Sequence, residues 1–371
     1  MEFIDLKAQQ KGIRDNLNKR ISKVLDEGRY IIGPEVNELE KDLSSFCGSK
    51  HTISCANGTD ALVLALMSLG IGKDDGVITV PFTYIATLES ICLVGATPIL
   101  VDVYDSTFNM NPELLEDAIN NSDKNVKAIM AVDLFGLPAR YRMINDIAKK
   151  FNLTVIGDTA QSFGSSIGSQ RVGTFCDITT TSFFPAKPLG CYGDGGAIFT
   201  DSDELDSTLR SLRVHGKGVD KYDNVRIGMN SRLDTLQAAI LLEKLSIFNN
   251  EIEQRNIVAS HYKEKLKNED IIFQFIPQNY TSVYAQFSIL FRDISIRDKV
   301  QNELSDNGIP SVIYYGIPGH LQSGYNYLGY KKGDFPVSEN LSQRILSLPM
   351  HPYMGEEIVD KIASSVKKAI N

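Results

Sequence analysis

Short β-rich runs alternating with longer helical patterns through the first two thirds of the chain most constrain its fold. Runs at 77–80, 98–103, 126–132 and 153–158 are apolar and β-branched and read as strands. Between them, 60–69, 85–94, 112–119 and 140–151 carry helical spacing of apolar residues. Such alternation predicts βαβ units, hence an α/β fold with a mostly parallel sheet buried between helices. Asp102, Asp133 and Asp158 stand at the ends of three of these runs, and the carboxyl edge of such a sheet is where ligands bind.

Runs at 178–184 and 196–200 read as two strands flanking a glycine-rich turn. A long helical region, 234–266, marks the passage between domains. The 371 residues exceed the size at which one core stops growing. A large domain is therefore expected over 1–250 and a smaller α+β domain over 251–371. The latter is predicted to mix strands at 284–291 and 311–315 with helices at 296–307 and 356–370.

Charge and cysteine usage narrow the function classes. With 38 Lys and Arg against 46 Asp and Glu, the net charge is -8, and no basic stripe suits a nucleic acid. Cys47, Cys55, Cys92, Cys176 and Cys191 form no CxxC pair, which suggests a reducing compartment and no disulfide framework. His51, His215, His261, His320 and His351 form no ligand cluster, so no metal is expected. The N-terminus shows no charged-then-apolar leader, and the longest apolar stretch, 61–71, is too short for a bilayer. A cytoplasmic protein without membrane association is expected.

Lys187 sits between an apolar run and a turn holding Gly190, Gly193, Gly195 and Gly196. A lone loop lysine is ordinarily a surface residue. Here burial would disfavour the ammonium and leave an amine nucleophilic towards an aldehyde, while the glycines let the backbone bend beside a flat group. Asp158 is a carboxylate of the type that holds a protonated ring nitrogen in pyridoxal chemistry, although alone it reads as an ordinary strand-end acid. Asn57-Gly-Thr-Asp60 opens a helix and offers Gly58, the Thr59 hydroxyl and free N–H groups to a phosphate; taken singly it is a plain turn and cap. Ser182 can add a second hydroxyl. Tyr84 can stack on a ring or serve as a core aromatic. No GxxxxGK[ST], HExxH or GxSxG motif is present.

As a set, Asn57-Gly-Thr-Asp60, Asp158-Thr-Ala-Gln161, Ser182-Phe-Phe-Pro-Ala-Lys187 and Gly193-Asp-Gly-Gly196 resemble the DegT/DnrJ/StrS sugar aminotransferases, of aspartate-aminotransferase fold type I. Phe3-Ile-Asp-Leu-Lys7, Tyr30-Ile-Ile-Gly-Pro-Glu35, Met229-Asn-Ser-Arg-Leu-Asp234 and Leu348-Pro-Met-His-Pro352 extend the resemblance over nearly the whole chain. Segments 54–60, 188–200 and 282–286 look closest to enzymes that aminate C3 of UDP-2-acetamido-2-deoxy-3-keto-glucuronic acid with glutamate, on the route to O-antigen uronic acids.

The resemblance implies pyridoxal 5′-phosphate carried on Lys187, a pyridoxamine phosphate intermediate and alternating entry of L-glutamate and the UDP-sugar. It implies that Asp158 holds the ring nitrogen, that Gln161 lies by the ring and that Thr59 and Ser182 bind phosphate. It further implies a homodimer in which Asn230 reaches the partner's cofactor and Arg232 meets the sugar carboxylate, also across the interface. Gly28, Tyr30, Ala186 and Tyr315 would line the sugar pocket. The chain departs from that group at Tyr314, where a histidine is usual, and at Gly319, beside His320, where a leucine is usual; both bear on the substrate pocket. Another nucleotide-linked 3- or 4-keto sugar, such as a 6-deoxy sugar, is the alternative substrate. A sugar dehydratase of this fold would carry histidine at Lys187, and a non-catalytic regulatory protein would not be expected to retain Asp158, Gln161, Ser182 and Lys187 together.

Overall fold

The computed structural model describes residues 1–220, 222–267 and 270–370. Strands β1 (His51–Cys55), β2 (Asp75–Thr79), β3 (Thr97–Leu100), β4 (Asn125–Val132) and β5 (Thr154–Asp158) precede a short hairpin, β6 (Ser166–Ile167) and β7 (Gln170–Arg171). Then come β8 (Ile178–Ser182) and β9 (Gly196–Thr200). Seven of these form one sheet in the order β1-β9-β8-β5-β4-β2-β3. Neighbours from β8 to β3 run parallel, and β9 alone runs against the rest. The mostly parallel sheet expected from the alternation is therefore present.

The strands are apolar on both faces because both faces are covered. Ile78, Ile129, Ala131 and Val155 belong to one core, while Val77, Ala128, Met130 and Ile156 belong to another. The change of face at each successive residue follows from the period of two along a strand. β1 lay outside the expected runs because His51, Thr52 and Ser54 interrupt its apolar character, and it borders the sheet beside β9.

The C-terminal part carries β10 (Ile271–Phe273), β11 (Tyr280–Thr281), β12 (Phe287–Phe291) and β13 (Ile345–Leu348). β10, β12 and β13 make an antiparallel sheet, and β11 joins the β6–β7 hairpin. The expected strand at 311–315 is corrected: only Val312 bridges, to Ser347, before the chain turns away towards the cavity. Pro310, without an N–H, helps keep that segment from extending the ladder. The region 112–119 resolves into a 3-10 turn, Pro112–Leu114, and a short helix, Leu115–Asn120.

Helix Thr235–Lys265 runs unbroken past residue 250. Its Ala238, Leu241, Phe248 and Ile252 pack with the large sheet's core, whereas Val258, Ala259 and Tyr262 pack with β12 and β13. Among the described residues, no helix is long and apolar enough to cross a membrane.

Candidate active site

The carboxyl ends of β5 and β8 and the N-terminus of helix Gly58–Ser68 meet at a cavity of about 680 Å³. β5 ends in Asp158, whose carboxylate is buried. The Thr87 hydroxyl donates to its Oδ2 at 2.8 Å, and the Ala160 N–H to its Oδ1 at 3.3 Å. Burial pushes the Asp158 carboxyl above its usual range, while the Thr87 hydrogen bond, the Lys187 charge and the Ala160 N–H pull it back.

Lys187 leaves β8 on a turn whose own N–H donates to the Phe184 carbonyl at 2.8 Å. It is half-buried, with one side facing the cavity. The surrounding protein nevertheless lowers its amine below the ordinary lysine value, a pull that the Asp158 charge opposes. An amine that loses its proton more easily than usual therefore shares one cavity with an acid harder to ionise than usual.

Opposite them stands a pocket suited to an anion. Asn57 caps helix Gly58–Ser68 by accepting the Asp60 N–H at 2.8 Å. Gly58 and Thr59 line the cavity beside Ser182. A Cβ at Gly58 would stand 2.6 Å from the Ser182 Cβ, so the close approach of turn and strand requires glycine.

Gln161 is fixed at both ends: its Nε2 donates to the Tyr315 hydroxyl at 3.0 Å and its Oε1 accepts the Phe135 N–H at 2.8 Å. Tyr315 packs 6.2 Å, centroid to centroid, from Tyr84, which is 56% exposed and offers its ring to the cavity rather than to the core. Tyr314 and Ala186, both expected in the substrate pocket, also line the cavity.

Gly28, Tyr30, Asn230 and Arg232 lie outside this cavity. The Tyr30 carbonyl accepts the Thr235 N–H at 3.0 Å and Ile31 bridges Asp234, whereas Asn230 bridges Val214 and its neighbour Ser231 accepts the Ala56 N–H at 3.2 Å, next to the Asn57 turn. Gly28 ends helix Leu6–Glu27 in the left-handed region, φ 66°. Asn230 is exposed, and Arg232 makes no ion pair or hydrogen bond among the described residues. His320 does not reach the cavity wall. It is 1% exposed, with Nε2 3.1 Å from Glu339 and its ring edge-on to Phe335. A histidine between Gly319 and Leu321 offered no sign in sequence of this distant acid.

Phe3, Ile4 and Gln286 line the cavity without having been expected there, and the buried Thr87, also unexpected, supports Asp158 from behind. Phe3 arrives because the Met350 N–H donates to its carbonyl at 3.2 Å, a contact between the two ends of the chain. A second hollow of about 710 Å³, beside Glu40, His51 and Arg210, is wide open and touches none of the candidate residues.

Comparison with known proteins identifies the family. Residues 11–367 match the DegT/DnrJ/EryC1/StrS aminotransferase family. The UDP-2-acetamido-2-deoxy-3-oxo-D-glucuronate aminotransferase of Pseudomonas aeruginosa is 46% identical over 366 residues, 99% of each chain. The UDP-N-acetyl-3-dehydro-alpha-D-glucosamine 3-aminotransferase of Acidithiobacillus ferrooxidans is 41% identical, covering 100% of this chain and 98% of its own. A solved structure of a DegT/DnrJ/EryC1/StrS aminotransferase from Brucella abortus superposes with a TM-score of 0.95 at 50% identity, over 99% of both chains.

Proposed function

Because the chain belongs to the DegT/DnrJ/EryC1/StrS aminotransferase family, we propose that it transfers an amino group from L-glutamate to C3 of UDP-2-acetamido-2-deoxy-3-keto-glucuronic acid. It is a sugar aminotransferase of α/β fold type I, and its cofactor is pyridoxal 5′-phosphate, with the pyridoxamine form as its other state. The observation that carries the reading is the pairing of Lys187 with Asp158 opposite the N-terminus of helix Gly58–Ser68. The first relative's activity and its 46% identity support the choice of sugar.

The residues fit the cofactor. The cradle at Gly58 and Ser182 has no room for a Cβ, and the helix N-terminus presents free N–H groups where a phosphate would sit. Thr59 and Ser182 would add hydroxyl donors, Tyr84 and Gln161 would flank the ring, and Lys187 would anchor it. Bound there, the cofactor supplies an electron sink for a carbanion at the substrate carbon.

The chain's own residues do the rest. Asp158 holds a proton at the ring nitrogen, and Thr87 keeps that carboxylate oriented. The Lys187 amine, its proton loosened by burial, would take the proton from the substrate carbon and deliver it to C4′ of the cofactor. Both substrates use the one cavity in turn, which gives ping-pong kinetics.

The position of Gly28, Tyr30, Asn230 and Arg232 outside the cavity lining supports a homodimer in which these residues serve the partner's site. A guanidinium without an internal partner is suited to bidentate pairing with a carboxylate, which both glutamate and a uronic acid possess. The same reading places the protein in the cytoplasm and divides it near residue 250, where helix Thr235–Lys265 passes from one core to the other.

A second sugar has one observation in its favour. Tyr314, half-buried and with its hydroxyl proton held more tightly than usual by burial, offers the cavity no cation for a C6 carboxylate. UDP-N-acetyl-3-keto-glucosamine, the C6-hydroxymethyl analogue, is therefore the competing substrate.

The deciding experiment presents both sugars to the holoenzyme with glutamate and follows 2-oxoglutarate. Faster turnover of the uronic acid, with Arg232→Ala impairing that sugar far more than its analogue, is the expected result. Equal losses on both sugars would remove the carboxylate role of Arg232. An unchanged visible cofactor spectrum in Lys187→Ala would remove the anchor itself.

A further inference from the structure

Helix Thr235–Lys265 passes beneath the turn that carries Lys187, and Lys244 on that helix has no place in the chemistry above. Its side chain is 0% exposed. The described residues give it no ion pair: its ammonium donates to the Gly190 carbonyl and stands 4.4 Å from the centroid of the Tyr192 ring. Burial lowers its proton affinity to a pKa of about 8, against the opposing charges of Glu251 and Cys191. An unpaired buried ammonium destabilises a fold, and an apolar residue of similar volume in its place is often neutral or stabilising. Its presence calls for a reason other than stability.

The turn supplies one. From Phe183 to Cys191 the chain doubles back on itself, closed by the Cys191 N–H donating to the Phe183 carbonyl at 2.8 Å. Gly190 is the crossing point, where a Cβ would stand 2.6 Å from the carbonyl oxygens of both Phe184 and Pro185. Lys187 projects from this loop. Gln237 holds the next residue, its Oε1 accepting the Tyr192 N–H at 2.9 Å. Gln237 and Lys244 are seven residues apart, two helical turns, and so share one face of the helix.

We propose that Lys244 is a positioning residue for Lys187: together with Gln237 it fastens the 183–192 turn to helix Thr235–Lys265 and so fixes where the Lys187 amine meets the cofactor. The proposal rests on Lys187 being the cofactor anchor.

Lys244→Met keeps the length and removes the charge and the donor. In that variant the melting temperature should change little, because removal of the buried charge offsets the Gly190 carbonyl left without its donor. The dissociation constant for pyridoxal 5′-phosphate should rise about tenfold, the scale of one lost hydrogen bond from a charged group. The yield of Lys187 trapped by borohydride should fall, and kcat should fall more than the KM for glutamate changes. A lowered melting temperature with wild-type cofactor affinity and trapping would overturn the proposal and leave Lys244 a structural residue. If the methionine variant fails to fold, Gln237→Leu releases the other end of the clamp. It should weaken cofactor binding in the same direction, and unchanged binding there overturns the proposal equally. Absence of borohydride trapping in the wild-type protein would instead bring down the Lys187 assignment.

Discussion

At the scale of single residues, the site depends on two ionisable groups whose surroundings move them towards each other. Burial loosens the proton on Lys187 and tightens it on Asp158, and each charge partly restores the other. The sign of the resulting pH dependence follows. In the proposed mechanism, as pH falls, Lys187 gains a proton and can no longer accept one, and Asp158 becomes neutral and no longer holds the ring nitrogen. Both changes place a loss of kcat on the acid side. Asp158→Asn removes one titrating group and also the charge that raises the Lys187 proton affinity. The acid limb of the kcat profile should therefore move to lower pH, while kcat itself falls by about 100- to 1000-fold, the scale of one lost electrostatic contact at a reacting centre. A limb displaced to higher pH would contradict the coupling. Asp158 was legible in sequence because it ends an apolar strand; Thr87, 71 positions away in the chain, was not, because only the fold brings its hydroxyl within 2.8 Å.

At the scale of elements, the helix that opens at Gly58 does two things at once. Its first turn is capped by Asn57, and its remaining N–H groups face the cavity. Asn57→Ala removes the cap and should lower stability by about 1 kcal/mol. Gly58→Ala leaves the cap in place but forces a methyl against the Ser182 Cβ, which should cost about 1–3 kcal/mol of stability and, unlike Asn57→Ala, also raise the cofactor's dissociation constant. Calorimetric unfolding and cofactor titration of the two variants check this separation; the same response from both would show that the turn acts only through helix stability. The parallel strands were legible because their two-sided burial leaves continuous apolar runs in the chain. The segment 311–315 misled for the same reason: Val312-Ile-Tyr-Tyr315 has strand composition, yet Ile313, Tyr314 and Tyr315 are apolar because they line the cavity. Helix Leu6–Glu27 was unrecognised because its buried apolar side chains, Ile13, Leu17 and Val24, are a narrow stripe in a polar sequence.

At the scale of the whole molecule, the expected site residues fall into two groups that one chain does not bring together. Lys187, Asp158 and the phosphate turn share a cavity, whereas Gly28, Tyr30, Asn230 and Arg232 do not line it. Sequence alone could mark all of them and could not say which share a cavity, since that depends on tertiary packing. The proposed two-fold dimer, in which each protomer completes its partner's site, would reconcile the two groups. The arrangement has a consequence that a self-contained site does not. Lys187→Ala and Arg232→Ala are each expected to be inactive towards the uronic acid. In a hybrid dimer, the protomer with intact Lys187 meets Arg232 of the other protomer, and one of the two sites is whole. Random exchange of equal amounts makes half the dimers hybrids, so about a quarter of wild-type activity should return. The measurement is the recovery of 2-oxoglutarate release after the two variants are mixed and allowed to exchange subunits, with hybrid formation followed by a mass tag on one variant. Hybrids that form and stay inactive would place Arg232 in its own chain's site or outside catalysis altogether.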